Sequence, residues 1–188
     1  ALRVNFVGEL GWELHHPIEM QNYIFDQLME AGAEFKIKPF GIRAMDSMRL
    51  EKSYRLIPRE MSIEYSAYES GLDRFVKLDK ENDFIGKSAL KEWQDRGPSN
   101  GFVTLEVLGV VDADARGSEA IYKDGEVVGR ATSGGYGWRC EKSLALGLVR
   151  LELATLGTQL EIEILGERYK AIVIEESPFD STNECLRS

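Results

Sequence analysis

Two glutamates open the chemistry of this chain. Glu9 and Glu13 stand four residues apart within Gly8-Glu9-Leu10-Gly11-Trp12-Glu13. Glycines let a backbone turn sharply, so an apolar strand over 2–6 is expected to turn here and return as a second strand. Glu13 then falls just past the turn, where its side chain can be aimed into a cavity. An ionised carboxylate only accepts hydrogen bonds, and its two oxygens can take two parallel N–H donors. That suits a planar edge with adjacent N–H groups, such as a guanidinium or a pterin. The pattern equally fits two solvated turn charges, since such residues are mostly exposed.

Other candidates carry less. His15 and His16 are adjacent, so on a strand they point to opposite faces and form no metal pair. Cys140 and Cys185 lie far apart without metal-site spacing and read as two thiols in a reducing compartment. Ile85-Gly86-Lys87-Ser88 has the look of a phosphate loop, but Glu81 stands where that loop needs its first glycine.

The 188 residues allow one large or two small domains, and 43% hydrophobic with 29% charged residues is an ordinary globular composition. No run of eighteen apolar residues is present to span a membrane. Net charge is −9, which argues against nucleic acid. The chain starts inside a strand-like segment without Met, as expected of a piece of something longer.

The elements follow from periodicity. Pro17 opens a helix whose Met20, Ile24 and Leu28 recur at i, i+4, i+8, with Tyr23 and Met29 beside them, a stripe expected to face the core. It stops at 31–33. A second helix runs from Pro39-Phe40-Gly41 to about Lys52, with Asp46 and Arg49 paired at i, i+3. Residues 74–78 read as a short strand, and 84–94 as a third helix. The segment 96–101 is the linker candidate. Beyond it come short strands at 102–107, 120–128 (a hairpin at Asp124-Gly125), 144–149, 159–164 and 169–174, a small barrel or sandwich. The glycine-rich 132–137 alone reads as a loop.

Several of these stretches resemble one family. Gly8-Glu9-Leu10-Gly11-Trp12-Glu13 is similar to the G-E-x-G-aromatic-E motif of the aminomethyltransferases. These are the glycine cleavage T-proteins and the matching C-terminal half of dimethylglycine and sarcosine dehydrogenases and oxidases. Asp46-Ser47-Met48-Arg49-Leu50-Glu51 resembles their D-S-L-R-L-E, and Glu69 with Gly71 matches T-P-x-E-A-G-L, with Ala67 replacing the proline. Phe84-Ile85-Gly86-Lys87, Thr132-Ser133-Gly134-Gly135-Tyr136-Gly137 with Lys142-Ser143-Leu144-Ala145-Leu146-Gly147, and the tail from Ser177 are similar to the dehydrogenase branch.

The resemblance implies an α+β fold. Residues 1–97 would be the later part of a folate-binding domain and 98–188 a small antiparallel β-barrel. It implies a tetrahydrofolate-binding piece of a one-carbon-transferring enzyme, acting on a small methylated amine or an aminomethyl donor. Glu13 would hold the pterin. Phe6 stands where the family commonly has tyrosine, keeping the ring face without the hydroxyl, and Arg43 is the arginine typical of the dehydrogenase branch. Met45 and Glu184 depart from T-protein folate contacts, so those roles are not carried over.

The family's catalytic aspartate lies upstream. No catalytic or metal residue is assigned here, and Asp46 reads as structural. The chain would therefore be inactive without its upstream half, self-associating where that half packs, and associated with FAD only if a flavin domain precedes it. The alternatives are a non-catalytic folate-binding module and a folate-dependent demethylase. Relatives of the first kind carry a cysteine motif that 82–87 lacks. The implied compartment is bacterial cytoplasm or mitochondrial matrix.

Overall fold

The computed structural model describes residues 1–187. Three helices, α1 (Gln21–Ala31), α2 (Ile42–Leu50) and α3 (Lys87–Arg96), precede six strands, and the fold is α+β. The strands are β1 (Asn100–Val107), β2 (Ala120–Lys123), β3 (Glu126–Gly137), β4 (Lys142–Arg150), β5 (Gln159–Ile164) and β6 (Glu167–Ile174). They close into an antiparallel barrel in the order β1-β4-β3-β2-β5-β6. Closure leaves no unpaired edge.

Alternation places the barrel core. Val103, Leu105 and Val107 of β1 turn inward onto Ile121, Ile162 and Val173. The outward face of β1 is covered as well: Thr104 is buried, its hydroxyl 2.7 Å from that of Ser53 just beyond α2. A second apolar cluster joins Leu50 of α2 to Leu144 and Leu146 of β4. Burying one such leucine contributes about 1.5–3 kcal/mol. The short helix is thereby seated on the outside of the barrel.

Five expectations change. The opening hairpin shrinks to a single bridge between Leu2 and Glu13, because the backbone of the intervening loop bonds elsewhere. The histidines consequently sit on no strand: His15 turns to Glu13, and His16 to the Pro17 carbonyl. Helix α1 forms behind Pro17, but its apolar stripe is largely exposed, with Met20, Tyr23 and Leu28 open to solvent. Residues 74–78 are not a strand; Asp73–Phe75 is a 3-10 turn.

The glycine-rich 132–137 is not a loop but the second half of β3. A Cβ at Gly134 would lie 2.5 Å from the Ala115 carbonyl oxygen, and one at Gly137 would lie 2.9 Å from Glu51 Cγ. These glycines permit close approach rather than turning.

Candidate functional site

The loop at 5–13 is shaped by what passes behind it. Gly8 has φ +78°, and a Cβ there would sit 2.6 Å from Lys52 Cγ. Only glycine fits both the left-handed backbone and the space. Lys52 is itself buried, donating from Nζ to the carbonyls of Phe179 (3.1 Å) and Asp180 (2.6 Å) and to Asn183 Oδ1 (2.9 Å). Burial lowers its pKa from the ordinary lysine value. These three oxygens solvate the charge that water cannot reach.

Arg139 clamps the same loop. Its Nη1 donates to Glu9 Oε1 (2.9 Å) and its Nη2 to the carbonyls of Val7 (2.9 Å) and Met48 (3.0 Å). Nε meets Glu51 Oε2 at 2.5 Å, and the guanidinium lies 3.7 Å over the Phe179 ring. One arginine therefore joins the loop, the end of α2, the β3–β4 turn and the C-terminal tail. Nothing in the local sequence marks it; its partners are up to 132 residues away.

The two carboxylates divide accordingly. Glu9 is held by Arg139 rather than solvated as a free turn charge. Glu13 faces outward with its side chain 60% exposed, and its Oε2 lies 3.1 Å from His15 Nε2. Its backbone is pinned to Leu2 by two hydrogen bonds of 2.9 Å. Phe6 is half-buried and stacks on Tyr54 at 6.4 Å between centroids and 26° between planes.

Arg43 lies elsewhere, at the start of α2, which is roughly 13 Å long. It lines a cleft of about 450 Å³ against the barrel together with Arg59, Arg116, Tyr136 and Trp138; neither Glu13 nor Phe6 is on that lining. Of the three residues expected at the site, Arg43 alone lies on α2 and lines this cleft.

That helix is fixed by a buried polar network. Arg49 and Glu60 are both fully buried. Arg49 donates to Asp46 (2.7 Å), the Tyr54 carbonyl (3.1 Å) and Ser133 Oγ (2.8 Å). Glu60 accepts from Thr132 Oγ1 (2.6 Å), Ser133 Oγ (2.5 Å) and the Leu56 amide (2.8 Å). Ser47 Oγ reaches the Tyr136 carbonyl at 2.6 Å. Asp46, expected to be structural, is indeed the partner of Arg49. Among the described residues no group of three or more His, Cys, Asp or Glu side chains is placed to hold a metal, and no helix is long and apolar enough to cross a membrane.

Helices seated on a closed six-stranded antiparallel barrel, with motif loops clamped between them, define an α+β chain that ends in a barrel domain. The chain belongs to the aminomethyltransferase, or glycine cleavage T-protein, family. The GCVT N-terminal domain matches residues 1–80, and the glycine cleavage T-protein C-terminal barrel domain matches residues 101–180.

Human mitochondrial dimethylglycine dehydrogenase is 44% identical over 176 residues, covering 94% of this chain and 20% of that protein. The aminomethyltransferase of Bacillus cytotoxicus is 35% identical over 179 residues, covering 94% of this chain and 48% of that one. The crystal structure of aminomethyltransferase T of the Bartonella henselae glycine cleavage system shares the fold with TM-score 0.86. It is 24% identical, over 95% of this chain and 49% of that one. This chain therefore spans about half the length of the aminomethyltransferases and a fifth of the dimethylglycine dehydrogenases it matches.

Proposed function

We propose that this chain is a tetrahydrofolate-binding part of a one-carbon-transferring enzyme of the dimethylglycine/sarcosine dehydrogenase or glycine cleavage T-protein type. Residues 1–97 belong to its folate-binding domain and 98–188 to its barrel domain. The donor is a small methylated amine or an aminomethyl group. Identity to both kinds of relative supports the class, and one observation carries the site. Glu13 is an outward carboxylate on a backbone held at two points, with one oxygen turned to His15 and Oε1 accepting nothing among the described residues.

That donor set fits a pterin edge. Two adjacent N–H groups find two coplanar acceptors, with His15 giving up or sharing Oε2. When bound, tetrahydrofolate supplies the N5 that accepts the one-carbon unit. Glu13 contributes orientation, which matters because bond formation between two reactants needs a fixed geometry. Phe6, backed by Tyr54, keeps the ring face that the resemblance implies.

Calorimetric titration of tetrahydrofolate into the parent chain and Glu13→Gln tests the reading. Removing one charge-assisted pair at this exposure costs about 2 kcal/mol, on the order of thirtyfold in Kd. Equal affinity in the two proteins would remove Glu13 from the site.

A further inference from the structure

We infer that a cleft on the barrel wall farthest from α2 binds a small zwitterion with an apolar body, an α-amino acid of the leucine type. Helix α2 sits on β3 and β4, through Leu50 with Leu144 and Leu146 and through Arg49 with Ser133. In the closed order β1-β4-β3-β2-β5-β6, the strands across the ring from that pair are β5 and β6. A cleft of about 390 Å³ opens there, between the end of the β2–β3 hairpin and the β5–β6 pair. That size suits a small molecule. Glu13, Phe6 and Arg43 do not line it.

The cleft exists because the barrel seam parts early. Strands β2 and β5 pair at two positions, Ile121 with Ile162 and Tyr122 with Glu161. One residue further on, Lys123 pairs with Glu126 in its own hairpin, while Leu160 and Gln159 pair with Ala171 and Ile172 of β6. A side chain spans the gap: Lys123 Nζ donates to the Gln159 carbonyl at 3.1 Å. An ammonium so placed has two donors left. Buried Leu160 and Ala171 supply an apolar floor, to which half-buried Ile172 and Leu108, 38% exposed, add wall.

Charge decides what fits. The hairpin wall carries Lys123 and Asp124, and the β5–β6 wall carries Glu161 and Lys170, which stand opposite each other in register. Residues so opposed have Cβ atoms about 5 Å apart. Among the described residues these four charges form no ion pair with one another; Glu161 reaches Arg168 instead, at 3.9 Å. The side chains of Lys170 and Asp124 make no hydrogen bond or ion pair there. A ligand with only a carboxylate would be repelled by Asp124 and Glu161, and one with only an ammonium by both lysines. A molecule carrying both charges on one carbon complements both walls. Its carboxylate goes to Lys123 and Lys170, its ammonium to Asp124 and Glu161, and its apolar side chain lies on Leu108 and Ile172.

The test follows backbone amide shifts of the full chain by NMR as leucine is added. Three probes run beside it: leucinamide, which lacks the carboxylate, 4-methylpentanoate, which lacks the ammonium, and glycine, which lacks the apolar body. Proteins compared are the parent, Lys170→Gln, Asp124→Asn, and Lys91→Gln as a control lysine on α3. Circular dichroism reports folding. Lys170 is exposed and Asp124 has φ +52°, a left-handed backbone that Asn also adopts, so both variants keep the fold.

In the parent, leucine should move the amides of 122–124, 159–161 and 170–172 saturably, and each of the three probes should bind about three- to tenfold more weakly. Lys170→Gln should weaken leucine by a similar factor but not leucinamide, whose missing carboxylate has already removed that contact. Asp124→Asn should weaken leucine but not 4-methylpentanoate, for the same reason. Lys91→Gln should change nothing, and added salt should weaken leucine in the parent. Shifts that never saturate, or that fall away from these strands, overturn the site. Leucinamide or 4-methylpentanoate binding as tightly as leucine overturns the zwitterion as its ligand. Leucine binding untouched by Lys170→Gln and by Asp124→Asn overturns the assignment of its charges.

Discussion

Single side chains show how a family motif becomes a physical constraint. Glu69, matched in the sequence beside Gly71, is 2% exposed. Its Oε2 accepts from the Ser66 amide (3.1 Å) and hydroxyl (3.2 Å), and its Oε1 from the amide (3.3 Å) and side chain (3.1 Å) of Asn100. It thereby ties the segment before the third helix to the first residue of β1. Burial alone would raise its pKa, but these four donors outweigh that and hold it below the ordinary value of 4.5. A depressed carboxylate stabilises the fold above its unfolded pKa and loses that contribution as pH falls through the folded one. Glu69→Gln should therefore cost about 1–3 kcal/mol at neutral pH. The gap from the parent, measured by urea unfolding, should hold down to about the ordinary value and close below it. A gap that does not change with pH would mean that the charge contributes nothing. Gly71 is equally specified: at φ +64°, a Cβ there would lie 2.5 Å from Arg55 Nη2.

At the level of elements, local pattern and long-range contact part company. The alternating strands of the barrel were readable because one face of each meets a core and turn residues such as Asp124-Gly125 mark the ends. Helix α2 was readable from its Asp46–Arg49 pair. The glycines of β3 were misleading, because glycine for a turn and glycine for close approach look alike until Ala115 and Glu51 are known to be neighbours. The opening loop was misread for a related reason. Leu2–Glu13 supplies one bridge, and Arg139, more than a hundred residues on, supplies the rest. Of the site, Glu13 and Phe6 rested on a resemblance, and no sequence signal pointed to Arg139.

Its removal gives a sharp contrast. Arg139→Met leaves Glu51, nearly fully buried, without its charge partner and should cost about 3–5 kcal/mol. Arg139→Lys should recover little, because one ammonium cannot serve four segments at once. Glu9→Gln, at a half-exposed end of the same clamp, should cost less than about 1 kcal/mol. Hydrogen exchange over 6–11 should accelerate in Arg139→Met well before the barrel amides do. Equal protection of that loop in parent and variant would show that Lys52 and Gly8 suffice to hold it.

The whole molecule is unevenly finished. The barrel buries its apolar residues inside and under α2, whereas the region up to the start of α2 presents Trp12, Ile18, Tyr23, Phe25, Phe35, Phe40 and Ile42 largely to solvent, Phe35 at 78%. Patches of this kind mark surfaces that meet other protein, and the stripe on α1 is ordered as if for such a partner. The relatives it matches are about twice as long as this chain or longer, and a second copy of this chain is the cover available in isolation. The chain alone is therefore expected to self-associate, with a weight-average mass that rises with concentration in sedimentation velocity. Ile18→Glu with Phe25→Glu should lower that mass. Both residues are exposed on the patch and remote from the barrel core, so unfolding of the barrel should be unchanged. A compact monomer at every concentration would show that side chains of this region fold over one another in solution, and the exposed stripe would then lose its standing as an interface.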